Sequence, residues 1–265
     1  MTKLLRKGCS KQRYFYDHEC DADFEISRPH GCGRLYQFLI EHKFQTGLRL
    51  LQLDVRGRTV LEVCCGSGMI TEKFAGVGAA VTGIDLSPAS VARAQERFRR
   101  GGVAALFLAA DAENLSFRDR SFDVVVVHDG LHHLDHPGRA ICEMARVARD
   151  GILILEPAQA VLTRIAVWLG VAVDVETAGN EVQRLRSTEI AALLRDLGYR
   201  EVRYKRSLMY YPHRPSQWFR WFDHPLLFAA FELVFAVVNL TVGGCGNKLA
   251  LTATRWVCDR RGCVN

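Results

Sequence analysis

The residues best placed to do chemistry are Glu62 and Asp85, two carboxylates on either side of a glycine turn. Glu62 lies in the apolar run Val60-Leu-Glu-Val-Cys-Cys-Gly-Ser-Gly68, which breaks at Gly66-x-Gly68, and Asp85 ends the next apolar run. Glycines at such a turn let the backbone come close to a ligand, and the following helix points its N-terminus at it. A carboxylate at the end of the second strand of a parallel sheet is positioned to take the two hydroxyls of a ribose. The combination implies a nucleoside cofactor. A nicotinamide fingerprint would need a third glycine where the chain has Thr71, and no Tyr-x-x-x-Lys occurs.

A second group of candidates is His128, His132 and His133, just after a β-branched run, with Glu156 at the end of a later one. Histidine titrates near neutral pH and is the usual choice for a general base, and Glu156 faces the same mouth. His18-x-Cys20 and His30-x-Cys32 hold four zinc-type ligands, but without the tight Cys-x-x-Cys spacing of structural sites, so no metal is assigned.

The elements that must position these residues alternate strand and helix from Thr59, the signature of a parallel sheet covered on both faces. Strands are expected at Thr59 to Val63, Ala80 to Ile84, Ala104 to Ala109, Phe122 to Val127 and Gly151 to Leu155, with the last two at Tyr199 to Met209 and Lys248 to Arg255. Phe122 to Val127 reads as a central strand buried on both faces. Helices are expected at Met69 to Gly76 and from Pro88, with Ser87 as cap, to Arg100. Another runs from Gly138 to Ala148, opened by Asp135 and Pro137. A last one is capped by Ser187, buries Ile190, Leu193, Leu194 and Leu197, and is closed by Gly198.

Three segments stand outside this alternation. Residues 1–56 read as an N-terminal helical cap whose Tyr14, Phe15, Tyr16 and Tyr36 would form a flap closing over the ligands. The remaining domain, 57–265, carries insertions at 157–186, with an apolar helix Val161 to Val173, and at 212–247. The second insertion holds the run from Pro225 to Leu240, which is interrupted by Glu232 and Asn239. At about 18 residues it is short for a membrane span and reads better as a lid or an interfacial helix, with 225–242 a candidate for peripheral membrane contact. Trp218, Trp221, Phe222 and Phe228 add to its apolar character and suggest an apolar acceptor.

With 265 residues, 49% hydrophobic and 24% charged, the chain can bury a full core, and disorder is excluded as the expectation. The net charge of +6 is spread thinly and no Lys/Arg run argues for nucleic acid. The nine cysteines lack paired spacing and the first residues lack a signal-type apolar stretch, so a reduced, cytoplasmic setting is expected.

Across residues 57–156 the chain resembles the class I S-adenosylmethionine-dependent methyltransferases of the small-molecule group. The matching stretches are 60–68, Gly-Ile-Asp-Leu-Ser (83–87), Asp-Ala-Glu-Asn-Leu-Ser-Phe (111–117), Ser-Phe-Asp-Val-Val (121–125) and Leu-His-His-Leu (131–134), leading to Glu143-x-x-Arg146-Val147. The resemblance implies a Rossmann-like, doubly wound α/β sheet of seven strands with the last antiparallel. It also implies that Glu62, Cys64, Gly66 and Gly68 surround the methionine part of the cofactor, with Asp85 on the ribose and Leu86 on the adenine. Asp111 would accept from the adenine amino group, Ala112 would donate its backbone N–H, and His128 would sit near the sulfonium. One departure is Cys64, where the family has glycine; a thiol there is accommodated most easily if its φ is negative.

The expected function is transfer of a methyl group from S-adenosylmethionine to a small, apolar or lipid-like acceptor. This is an in-line displacement that releases S-adenosylhomocysteine and depends mainly on alignment. The alternatives are RNA methylation, which the missing Asn/Asp-Pro-Pro-Tyr motif disfavours, and a non-catalytic protein that keeps the cofactor site. The oligomeric state is left open.

Overall fold

The computed structural model describes residues 13–160, 186–210, 212–255, 258–259 and 262–263. The expected helix Val161 to Val173, and with it most of the 157–186 insertion, lies outside the described residues. Seven strands form one sheet: β1 (Thr59–Val63), β2 (Ala80–Asp85), β3 (Leu106–Ala109), β4 (Phe122–His128), β5 (Ala148–Pro157), β6 (Glu201–Ser207) and β7 (Lys248–Thr254). Their order is β3-β2-β1-β4-β5-β7-β6. The pairs among β1 to β5 are parallel, whereas β7 runs antiparallel to both β5 and β6. The expected α/β fold with an antiparallel last strand is therefore present.

The β-branched run of β4 is fully buried because both faces of the sheet are covered. Val124 and Val126 pack toward α2 (Arg34–Leu51), and Val125 and Val127 toward α5 (Pro137–Val147). α2 lays Leu35, Leu39, Ile40, Phe44 and Leu51 on the sheet, the 3–4 spacing of an amphipathic helix. It sits so close that a Cβ on Gly47 would meet side-chain atoms of Leu153 and Leu155 at 2.9 Å. Tyr36, expected in the flap, is thus part of the core. α1 (Ala22–Ser27) and a π-helical turn, Phe15–Glu19, precede α2. The remaining helices are α3 (Met69–Gly76), α4 (Pro88–Gly101), α6 (Ser187–Asp196) and α7 (Pro225–Thr241).

Several boundaries differ from expectation. β3 starts at Leu106 rather than Ala104, and the last two strands are Glu201–Ser207 and Lys248–Thr254. β5 begins at Ala148, where the sequence suggested the end of a helix, because a register shift in β4 lets Phe122 pair with Ala148. His136, not Asp135, is the residue before α5, and Ser187 is the first residue of α6 rather than its cap: Arg186 supplies the carbonyl that receives the Glu189 and Ile190 N–H groups.

The second insertion folds as a 3-10 turn, Gln217–Asp223, followed by α7. Phe228, Phe231 and Phe235 of α7 surround Phe38 of α2 with ring centroids 5.4 to 5.9 Å apart. The opposite side of α7 is apolar and bare: Leu226, Leu233 and Leu240 are 75%, 68% and 88% exposed. Among the described residues no single helix is long and apolar enough to cross a membrane, and the turn and α7 are bent 101° to each other.

Candidate functional site

The carboxyl ends of β1, β2 and β3 bring Glu62, Cys64, Gly66, Gly68, Asp85, Leu86, Asp111 and Ala112 to one edge, and β4 and β5 bring His128, His132, His133 and Glu156 to the same edge. The turn after β1 holds Gly66 and Gly68 at φ +53° and +76°, in the left-handed region. Asp85 braces it: Gly66 N–H donates to Oδ2 and Ser87 N–H to Oδ1, both at 2.9 Å. Burial raises the Asp85 pKa, opposed by these two bonds. A carboxylate has about four lone-pair sites, so each oxygen can still accept a hydroxyl. A Cβ on Gly66 would meet nothing within 4 Å, so the turn faces open space beside that carboxylate. This donor and acceptor set fits a nucleoside cofactor.

Glu62 is buried and accepts from the Thr71 hydroxyl of α3. Burial pushes its pKa up to about 8, against the Thr71 bonds. Thr71, at the position where a nicotinamide fingerprint has glycine, holds this acid. Cys64 has φ +54°, so the easy accommodation at negative φ does not apply. Its side chain instead fills the space left by Gly130, where a Cβ would lie 2.5 Å from the Cys64 Cβ. The next loop is held by side chains from α5. Leu115 N–H donates to Glu143 at 2.8 Å, and Arg146 donates to Glu143 and to the Leu115 and Phe117 carbonyls. Asp111 Oδ1 accepts from Glu113 N–H at 2.8 Å, and Ala112 is buried beside it.

The segment before α2 crosses this edge. Asp17 accepts from the Ser87 hydroxyl, Arg93 donates to the Tyr16 carbonyl at 2.7 Å, and Ser67 and Arg97 donate to the Glu25 carbonyl at 2.8 and 2.6 Å. Residues 15–27 are thereby tied across the glycine turn and the start of α4. None of Asp17, Ser67 or Arg97 stood out in the sequence, since a lone polar residue in a helix or a turn is normally solvated.

On the β4–β5 side, Glu156 is fully buried and accepts from Gly130 N–H, Leu131 N–H and His132 Nδ1–H at 2.7 to 2.8 Å. These three bonds occupy its carboxylate, which corrects its expected place at the mouth: it is a positioning group for the turn Leu131–His133. The bond from His132 Nδ1 to Glu156 fixes the orientation of the imidazole ring. The His132 and His133 rings lie 3.9 Å apart. His128 is buried at the end of β4, beside Asp129. Lys43 of α2, which the sequence reading passed over, donates to Asp129 Oδ1 at 2.6 Å.

Comparison with known proteins agrees with this geometry. Residues 61–155 match the family model described as "Methyltransferase domain". The phthiotriol/phenolphthiotriol dimycocerosates methyltransferase 1 of Mycobacterium ulcerans is 34% identical over 144 residues, 53% of this chain and 50% of its own length. The ubiquinone/menaquinone biosynthesis C-methyltransferase of Burkholderia mallei is 35% identical over 121 residues, 43% of this chain and 50% of its own length. The chain thus spans about half the length of the curated relatives it matches. Among solved structures, magnesium protoporphyrin IX methyltransferase from Synechocystis, crystallised with S-adenosylhomocysteine, superposes with a TM-score of 0.62 at 16% identity, covering 94% of this chain and 100% of that one. At that identity the likeness concerns the fold.

Proposed function

We propose that the chain, whose residues 61–155 match the methyltransferase-domain model, is a class I S-adenosylmethionine-dependent methyltransferase that transfers the cofactor's methyl group to a small, apolar or lipid-like acceptor. The observation that carries the reading is Asp85 bracing the Gly66 turn beside open space, within the segment that matches the methyltransferase model. S-adenosylmethionine supplies a methyl carbon already activated by positive sulfur, so the protein's task is chiefly alignment and exclusion of water. Asp85 would hold the ribose, Asp111 and Ala112 the adenine with Leu86 against it, and Glu62, Cys64, Gly66 and Gly68 the methionine end. Residues 15–27 would close over them.

The apolar character of the acceptor is supported by the relatives' names, which specify dimycocerosate and quinone methylation, and by the exposed leucines of α7. We further infer that α7 rests on a membrane surface. Its bare leucines would enter the lipid boundary, and the exposed Trp218 and Trp221 would anchor at the interface. The test is incubation with S-adenosylmethionine and a panel of quinols and long-chain alcohols, following S-adenosylhomocysteine release. Turnover with apolar hydroxyl acceptors is expected; turnover with RNA alone would move the assignment to the RNA alternative.

A further inference from the structure

His128, Lys43 and Asp129 form a buried polar cluster at the carboxyl end of β4. β4 alternates so that Val124, Val126 and then His128 face α2, and Lys43 stands one turn before the close contact of Gly47 with Leu153 and Leu155. The Lys43 side chain is 2% exposed, and its partner Asp129 sits at φ +48°. Enclosing an ammonium is costly even when paired, and a non-glycine residue at positive φ adds strain. The His128 side chain is 8% exposed, yet its Nε2, 3.5 Å from Asp129 Oδ2, makes no hydrogen bond. A buried imidazole nitrogen without a partner, beside a caged lysine at the methyl-transfer edge, is arranged to meet the polar end of a ligand.

We propose that His128 and Lys43 receive the acceptor's oxygen and select an oxygen acid, a phenol or an enol, over an amine. The inference rests on the methyltransferase reading. Burial, reinforced by Lys43, lowers the His128 pKa to about 3, so the imidazole is neutral and can offer Nε2–H as a donor. The charged and titratable groups acting on it are Lys43 from α2, Lys248 from β7 and Arg28 before α2, with Asp129 partly offsetting them. The acceptor's hydroxyl proton leaves to solvent, and the oxygen keeps its electron pair. That pair forms the oxygen–carbon bond to the methyl group as the carbon–sulfur bond breaks, and the electrons of that bond remain on sulfur. The oxygen thus goes from anionic to neutral within a positive field. An amine would instead gain positive charge beside Lys43, Lys248 and Arg28, which costs energy.

The test is titration calorimetry of the protein saturated with S-adenosylhomocysteine against 2-naphthol and 2-naphthylamine, which differ only in O–H for N–H. The naphthol is expected to bind at least about tenfold tighter, more so as pH rises toward its ionisation. Lys43→Met with Asp129→Asn removes both charges of the pair and is expected to abolish the preference while leaving S-adenosylhomocysteine affinity within about twofold. His128→Phe is expected to lose about tenfold in naphthol affinity, and His128→Gln, which keeps a donor, to recover part of it. Should the double variant fail to fold, the wild-type His128 ring resonances decide the matter: they should shift on adding the naphthol and not the naphthylamine. Equal affinity for the two probes, a preference that survives the double variant, or unmoved His128 resonances would overturn the proposal. Failure of the wild type to bind S-adenosylhomocysteine would instead remove the methyltransferase reading beneath it.

Discussion

Cys64 and Gly130 interlock: the thiol side chain, carried at φ +54°, occupies the place where a Gly130 Cβ would stand 2.5 Å away. Each residue therefore makes sense of the other. A side chain at the first position of the turn is admitted because the loop after β4 has none.

This pairing predicts strong coupling. Gly130→Ala is expected to destabilise the protein by ~2 kcal/mol through overpacking, and by much less when combined with Cys64→Gly. Cys64→Gly alone relieves a left-handed non-glycine residue and should cost little or gain ~1 kcal/mol. Denaturant unfolding of the four proteins measures the cycle, and additive effects would contradict the interlock.

Glu62 gives stability a pH dependence. Its folded pKa is raised to about 8 by burial, above the ordinary carboxyl value, so its contribution is fully present below about pH 4.5 and lost as pH rises through 8. The relation of 1.36 kcal/mol per pKa unit bounds the loss at about 5 kcal/mol. Glu62→Gln should flatten the curve across that window, as thermal unfolding at a series of pH values would show.

The strands, the glycine turn and Asp85 were legible because their signals are local: β-branched runs, turn glycines and an acid at a strand end. Lys43 was not, because a lysine on a helix is ordinarily solvated. Its place in the stripe of Leu39, Ile40, Phe44 and Gly47 was the available clue. The same stripe shows that α2 covers the sheet, whereas residues 15–27 before it lie across the cofactor edge. Glu156 was recognised as important but misplaced in role, since the donors that occupy it come from a turn about 25 residues earlier and meet it only in the fold. β5 was cut short because the Phe122 register shift leaves no mark in composition.

Removing Glu156 should be severe. Glu156→Ala leaves Gly130 N–H, Leu131 N–H and the His132 ring without their acceptor and is expected to cost ~3–5 kcal/mol. Glu156→Gln keeps one acceptor oxygen and should cost less while still disturbing the His132 tautomer. Unfolding midpoints rank the three proteins, and near-wild-type stability of Glu156→Ala would contradict the positioning role.

The outer face of α7 separates folding from surface binding. Leu233→Glu with Leu240→Glu alters bare positions and should change stability by less than ~0.5 kcal/mol per site. Co-sedimentation with phospholipid vesicles should fall sharply for this variant if α7 rests on membranes, and unchanged sedimentation would remove that proposal.

The central claim is a nucleoside cofactor held by Asp85, and titration calorimetry with S-adenosylmethionine tests it most directly. The wild type should bind in the micromolar range. Asp85→Ala, which removes the acceptor for the ribose hydroxyls and loosens Gly66, should weaken binding by roughly 2–4 kcal/mol, about 30-fold or more. No binding by the wild type at millimolar cofactor, or equal binding by Asp85→Ala, would contradict the account.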